Sequence, residues 1–209
     1  MINRRAPQRE RRSTRWYFAG MQFLTLAASI LLLAGCDGPA FNGIVLDPPD
    51  PVPPLRLADS SGARFDIGAQ RGKVVLVFFG YTHCPDVCPT TLLDWRKAAL
   101  ALGDDARNVR FVFVSLDPER DTPALTQRYA ARFGPGLVGL TGSRDEIDAL
   151  MRDWKIAAYR DGVPGDTASA YTVTHPSQVF VIDGDGRLRL MHRAGLTPVQ
   201  IASDVRALL

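Results

Sequence analysis

The chain carries no lasting excess of charge. Its formal +3 comes from a basic head, Arg4, Arg5, Arg9, Arg11, Arg12 and Arg15. That head holds six of the 25 Lys+Arg and one of the 22 Asp+Glu, so the rest has 19 basic and 21 acidic side chains, a net of −2. Without a basic surplus there is no electrostatic footprint for nucleic acid. No apolar run is comfortably long enough to span a bilayer, because the longest, Phe18 to Leu33, falls short of the necessary 20 or so residues. Internal repeats are absent too. Cysteine and histidine are scarce: three of each serve all 209 residues.

The basic head, the apolar run and the small residues Leu33-Ala34-Gly35 before Cys36 read together as a secretory signal over residues 1–35. Leu-Ala-Gly-Cys resembles the lipobox of bacterial lipoproteins, which implies cleavage before Cys36 and lipid on its sulfur. Asp37 resembles an inner-membrane retention signal. Arg11-Arg12 invites a twin-arginine reading, but the residues that follow fit it poorly. Residues 36–54 hold six of the 15 prolines and read as an extended tether, ending in DPPDPVPP. Residues 55–209 then form one domain large enough for a proper core. The expected location is the bacterial cell membrane, lipid-anchored, with the domain facing the periplasm.

Within that domain β and α patterns alternate. Lys73 to Phe79 and Val109 to Leu116 are apolar runs of strand length, each buried on both faces. Helical patterns follow both, one from Pro89-Thr90 to Leu102 and one from Thr122-Pro123 to Phe133. Ser143-Arg144-Asp145-Glu146 is a capping-box pattern opening a helix to about Trp154. Val179 to Ile182 and Leu188 to Met191 flank Asp183-Gly184-Asp185-Gly186, a hairpin signal. Thr197-Pro198 opens a last helix. This order describes an α/β fold, a thioredoxin-like sandwich with a central mixed sheet flanked by helices.

Cys84 and Cys88 stand where the first strand gives way to its helix, in VVLVFFGYTHCPDVCPTTLLDW. Amides at a helix N-terminus favour thiolates there. A structural disulfide across so short a loop would stabilise little. Two thiolates match Cu(I), whereas a structural zinc site normally takes four ligands. A redox dithiol has the same appearance in sequence, so electron exchange and metal binding both stay open. His175 precedes a strand and lies 91 residues beyond Cys84, so only the fold can bring it to the sulfurs. His83 abuts Cys84, as a nearby charge or a solvated side chain, and His192 reads as a surface residue.

FGYTHCPDVCPTTL, VSLDPERDTP and YTVTHPSQVFVID together resemble the Sco/SenC copper chaperones in order and spacing. The resemblance covers residues 55–209. It implies one copper ion held by Cys84, Cys88 and His175. It also implies copper delivery to, and thiol maintenance of, the binuclear copper site of cytochrome c oxidase. The implied partners are the oxidase's copper-site subunit and other copper carriers or thiol reductants. This chain departs from the family's usual Asp-His-Ser at Thr174-His175-Pro176, which removes an acidic neighbour able to orient the imidazole. Pro176 restricts His175 to extended backbone, and the sequence suggests a cis His175–Pro176 bond.

Asp117-Pro118-Glu119-Arg120-Asp121 follows the second strand at its carboxyl end. It reads first as a turn with a helix cap and an Arg120–carboxylate pair, and second as charges ringing the site. Asp86 is a candidate for direct contact with the pocket, while Tyr81, Phe79 and Trp95 read as core. The competing activity is a thiol-disulfide oxidoreductase using Cys84 and Cys88 alone. A peroxidase fits poorly, since the arginine and threonine that activate a peroxidatic cysteine have no match around Cys84. A copper or redox sensor is a third, non-enzymatic possibility.

Overall fold

The structure, a computed structural model, describes residues 40–162 and 171–209. The expected signal segment and Cys36 lie outside the described residues. Strands β1 (Ile44–Pro51), β2 (Arg56–Ala58) and β3 (Arg64–Asp66) lead to β4 (Val74–Gly80) and helix α1 (Val87–Leu102). Then follow β5 (Val109–Ser115), α2 (Pro123–Ala131), β6 (Leu137–Leu140), α3 (Arg144–Asp153), β7 (Tyr159–Asp161) and β8 (Thr172–Thr174). The chain closes with β9 (Val179–Ile182), β10 (Arg187–His192) and α4 (Pro198–Arg206). Six strands form one mixed sheet in the order β1-β10-β9-β4-β5-β6, with β4, β5 and β6 parallel. Two short hairpins, β2–β3 and β7–β8, stand apart from it.

All seven residues of β4 are buried, which is why they read as an unbroken apolar run. Val74, Leu76 and Phe78 enter one core and Val75, Val77 and Phe79 the other, following the strand's two-residue period. The first core is closed by Leu92, Trp95, Ala98 and Leu102 of α1 and by Ile201, Ala202 and Val205 of α4. The second is closed by Ile147 and Leu150 of α3, with Trp154 edge-on to Phe79 and Phe180. The helix starts also follow the sequence: Ser143 and Thr197 both sit in complete capping boxes. The Asp183–Gly186 turn closes the β9–β10 hairpin, and Gly186 takes a φ of 76° that a side chain would oppose.

Four expectations change. Residues 44–51, expected within the tether, form edge strand β1 on β10. Prolines are tolerated there because an edge strand can leave amides unpaired. Helix α1 begins at Val87, so Pro89 is its third residue, where the amide would lack an intrahelical partner anyway. His192 is buried, not exposed, and its Nε2 lies 2.9 Å from an Asp204 oxygen. The only cis peptide among the described residues is Asp47–Pro48, so His175–Pro176 is trans. His175 reaches its position from the end of β8 in that geometry.

Candidate metal centre

The site forms where β4 ends and α1 begins. Cys88 is the second residue of α1 and is fully buried, while Cys84, in the preceding loop, is half-buried. Gly80 sets how close the strand can come. A Cβ there would lie 2.5 Å from Cys88 Sγ and 2.9 Å from Phe113, so only glycine lets the backbone approach the sulfur. Asp86 occupies the cap position of α1, yet its side chain makes no capping bond. Cys84 supplies the acceptor instead: the Cys88 amide donates to its Sγ at 3.4 Å. The Asp86 amide donates to the same sulfur. The Asp86 contact with the site is therefore through its backbone, and its carboxylate is exposed.

His175 is brought in by the β7–β8 hairpin. Its ring packs edge-on against Phe78 and Tyr81, each 5.8 Å away between centroids. Nε2 lies 3.5 Å from Cys88 Sγ, and one donor atom from each of Cys84, Cys88 and His175 falls within 4.8 Å of the others. Nδ1 lies 2.9 Å from the Pro176 carbonyl. A carbonyl only accepts, so Nδ1 carries a proton and, in the neutral ring, the Nε2 lone pair faces the sulfurs. The Pro176 backbone thus orients the ring in place of an acidic neighbour. Thr174 turns elsewhere and donates to Asp161.

The two sulfurs are electrostatically unequal. The neighbouring Cys88 thiol, helped by the Asp86 and Cys88 amides, holds Cys84 down to about 4 against the opposing effect of burial. Cys88 is pushed strongly upward, first by its hydrogen bond to Cys84, then by burial and by the Cys84 charge. The metal-free pair therefore shares one proton and one negative charge. Adding a cation completes the second thiolate at the expense of that proton. Two sulfurs and an imidazole nitrogen form a soft three-donor set.

Asp121 supports the loop that carries Cys84. It is buried, accepts from the Thr82 amide at 2.8 Å, and also accepts from the Ser115 hydroxyl. Its role was not evident in the sequence, where it belongs to a run that reads as a turn. The rest of that run behaves as the turn reading expects. Asp117 is buried, pairs with Arg120 and accepts from the Tyr171 hydroxyl at 2.6 Å, and Thr122 caps α2. Arg120 stacks 3.6 Å from the centre of the Tyr171 ring, which joins this turn to the hairpin carrying His175. His83 is exposed, bonded to Thr82, and outside the three-donor group. Tyr81, Phe79 and Trp95 are core residues.

Fold and site together define a thioredoxin-like domain with a two-thiol, one-imidazole centre at a helix N-terminus. The profile of the SCO1/SenC family matches residues 46–209, and the chain belongs to that family. It is 34% identical over 154 residues to the mitochondrial Protein SCO2 homolog of Danio rerio, covering 73% of this chain and 54% of that protein. The chain thus spans about half the length of that relative. Among solved structures, Bradyrhizobium japonicum ScoI with copper bound is 38% identical, with a TM-score of 0.67 over 75% of this chain and 98% of that one. Apo Sco1 of Thermus thermophilus is 34% identical, with a TM-score of 0.73 over 84% of this chain and all of that one.

Proposed function

We propose that this protein is a copper metallochaperone. It binds one copper ion through Cys84, Cys88 and His175 and delivers it to the binuclear copper site of cytochrome c oxidase during assembly. The observation that carries this reading is the convergence of the three donor atoms within 4.8 Å from two distant parts of the chain. A dithiol enzyme has no need of the imidazole, whereas a Cu(I) carrier gains a third donor from it. The copper-bound Bradyrhizobium japonicum relative supports the choice of metal. A three-coordinate ion also suits a carrier, since an incoming ligand can add before one leaves. In this reading Cys36 bears the lipid and holds the domain at the periplasmic face of the membrane.

The test is Cu(I) titration of the reduced protein against a competing chelator. Wild type binds one copper per chain, and His175→Ala weakens binding by about a hundredfold or more, beyond what loss of an outer-shell partner causes. Equal affinity in both proteins removes His175 from the site.

A second reading rests on the inequality of the sulfurs. A half-buried thiolate beside a buried thiol is the arrangement of an attacking and a resolving cysteine. In that role the protein keeps the oxidase copper-site cysteines reduced. A His175→Ala protein that loses copper but still reduces disulfides would show that the two activities are separable.

A further inference from the structure

Beside the metal centre lies a groove of about 270 Å³ that neither copper binding nor the fold requires. One wall is Thr82-His83, the two residues before Cys84. The other is a single face of α2 and its cap, Leu125, Arg128, Tyr129 and Arg132, at helical spacings of three and four. Arg128 and Arg132 are exposed, lie one turn apart, and have no ion-pair partner among the described residues. Asp121, the buried carboxylate of the adjoining loop, is already engaged by Thr82 and Ser115. The Tyr129 hydroxyl is buried at the groove with no hydrogen-bond partner among the described residues. Two unpaired guanidiniums thus share a groove with Thr82 and His83, the residues that lead directly to the half-buried Cys84, while Cys88 is fully buried.

We infer that this groove docks an acidic segment of the thiol-bearing protein that exchanges with Cys84. The inference deepens the reading of the Cys84–Cys88 centre given above and rests on it. Charge complementarity selects the occupant: carboxylates of the segment meet Arg128 and Arg132 while its thiol meets Cys84. When Cys84 and Cys88 are joined as a disulfide, the partner's thiolate attacks Cys84 Sγ. The Cys84–Cys88 bond breaks, and Cys88 leaves as a thiolate that takes a proton from water. A second partner thiolate then attacks the mixed disulfide, Cys84 leaves as its thiolate, and the partner departs as a disulfide. Two electrons have passed to the protein.

The test uses two peptides as probes, acetyl-Glu-Glu-Cys-Gly amide and its Gln-Gln counterpart. Each reduces full-length protein in detergent that has been oxidised to the Cys84–Cys88 disulfide. Rates come from acid quenching and thiol alkylation for wild type and for Arg128→Gln/Arg132→Gln. At low ionic strength the double variant should react about fivefold more slowly with the acidic peptide and unchanged with the neutral one. In about 1 M salt the difference should vanish. An equal loss with both peptides, or no loss with the acidic one, overturns the inference. Cu(I) stoichiometry on the same variant separates the two readings. One copper per chain leaves the metal centre standing whatever the peptides do, while no copper in wild type or variant removes the chaperone reading and leaves the peptide result intact.

Discussion

Copper binding should release one proton from the cysteine pair, and the pH dependence of affinity measures it. In the metal-free site the Cys88 thiol holds Cys84 ionised down to about 4, and the Cys84 charge keeps the Cys88 proton in place. Across the neutral range the pair therefore binds one proton. Two sulfurs bound to Cu(I) bind none. Each pH unit then adds about 1.4 kcal/mol to binding, a tenfold gain in affinity. The range from about pH 7 to 8.5 lies below the point at which independent thiols lose their protons, so the two cases differ most there. Independent thiols with ordinary values near 8.5 would instead give a slope of about two at pH 7 and bend toward zero above pH 9. The assay is competition with a chromophoric Cu(I) chelator at each pH, corrected for the chelator's own titration. A slope near one supports the shared proton, whereas a slope near two in the lower half of the range refutes it.

The same sharing sets a stability profile. Between about pH 4 and 8 the unfolded pair binds two protons and the folded pair one, so stability should rise with pH; above about pH 9 the unfolded pair binds none and stability should fall. Denaturant titrations of metal-free wild type against Cys84→Ser should show that hump in wild type alone. Gly80→Ala pushes a methyl into Cys88 Sγ and Phe113, so denaturation should report a loss of about 1–3 kcal/mol together with weakened copper binding. Asp121→Ala strands the Ser115 hydroxyl and the Thr82 amide and should destabilise by about 2–4 kcal/mol, with Asp121→Asn less severe. His192 is held below its ordinary value, chiefly by burial, with Asp204 opposing. Its contribution to stability is therefore complete above the ordinary imidazole range and is lost as pH falls below about 6.5, so His192→Gln should flatten the acid limb of the unfolding profile.

Where local pattern and tertiary environment agreed, the sequence could be read directly. β4 and β5 are buried on both faces and consist of apolar residues without a break. The capping residues of α3 and α4 satisfy their own amides, so their signal is local. β1 was obscured because its DPPDP segment carries the composition of a linker, and only pairing with β10 makes it a strand. His192 had a signal that went unused. Leu190 and His192 alternate along β10, and that parity puts the imidazole on the sheet face of Leu190, which packs into the core under α1 and α4. Asp204 similarly shares the buried face of α4 with Ile201 and Val205. Once buried it accepts from the Asn42 and Gly43 amides and meets His192, fastening the start of the described chain to the last helix. The position of His175 had no local signal, because 91 residues separate it from Cys84 and the β7–β8 hairpin alone delivers it.

The burial of one sulfur and the partial exposure of the other also impose an order on exchange. Cys88 lies behind Gly80, Phe78 and Phe113 with no surface of its own, so no partner atom reaches it first. An incoming ligand meets an ion held at this centre across Cys84 and His175, the two half-buried donors. The stabilised thiolate at Cys84 keeps that side ready to bind at neutral pH without a prior deprotonation. Cys88 is the reverse case. Once the metal leaves, its raised proton affinity makes recapture of a proton favourable, and that proton removes one of the two thiolates needed to take copper back. In the proposed carrier role, loading would therefore begin at the half-buried sulfur, and release would be completed by protonation of the buried one.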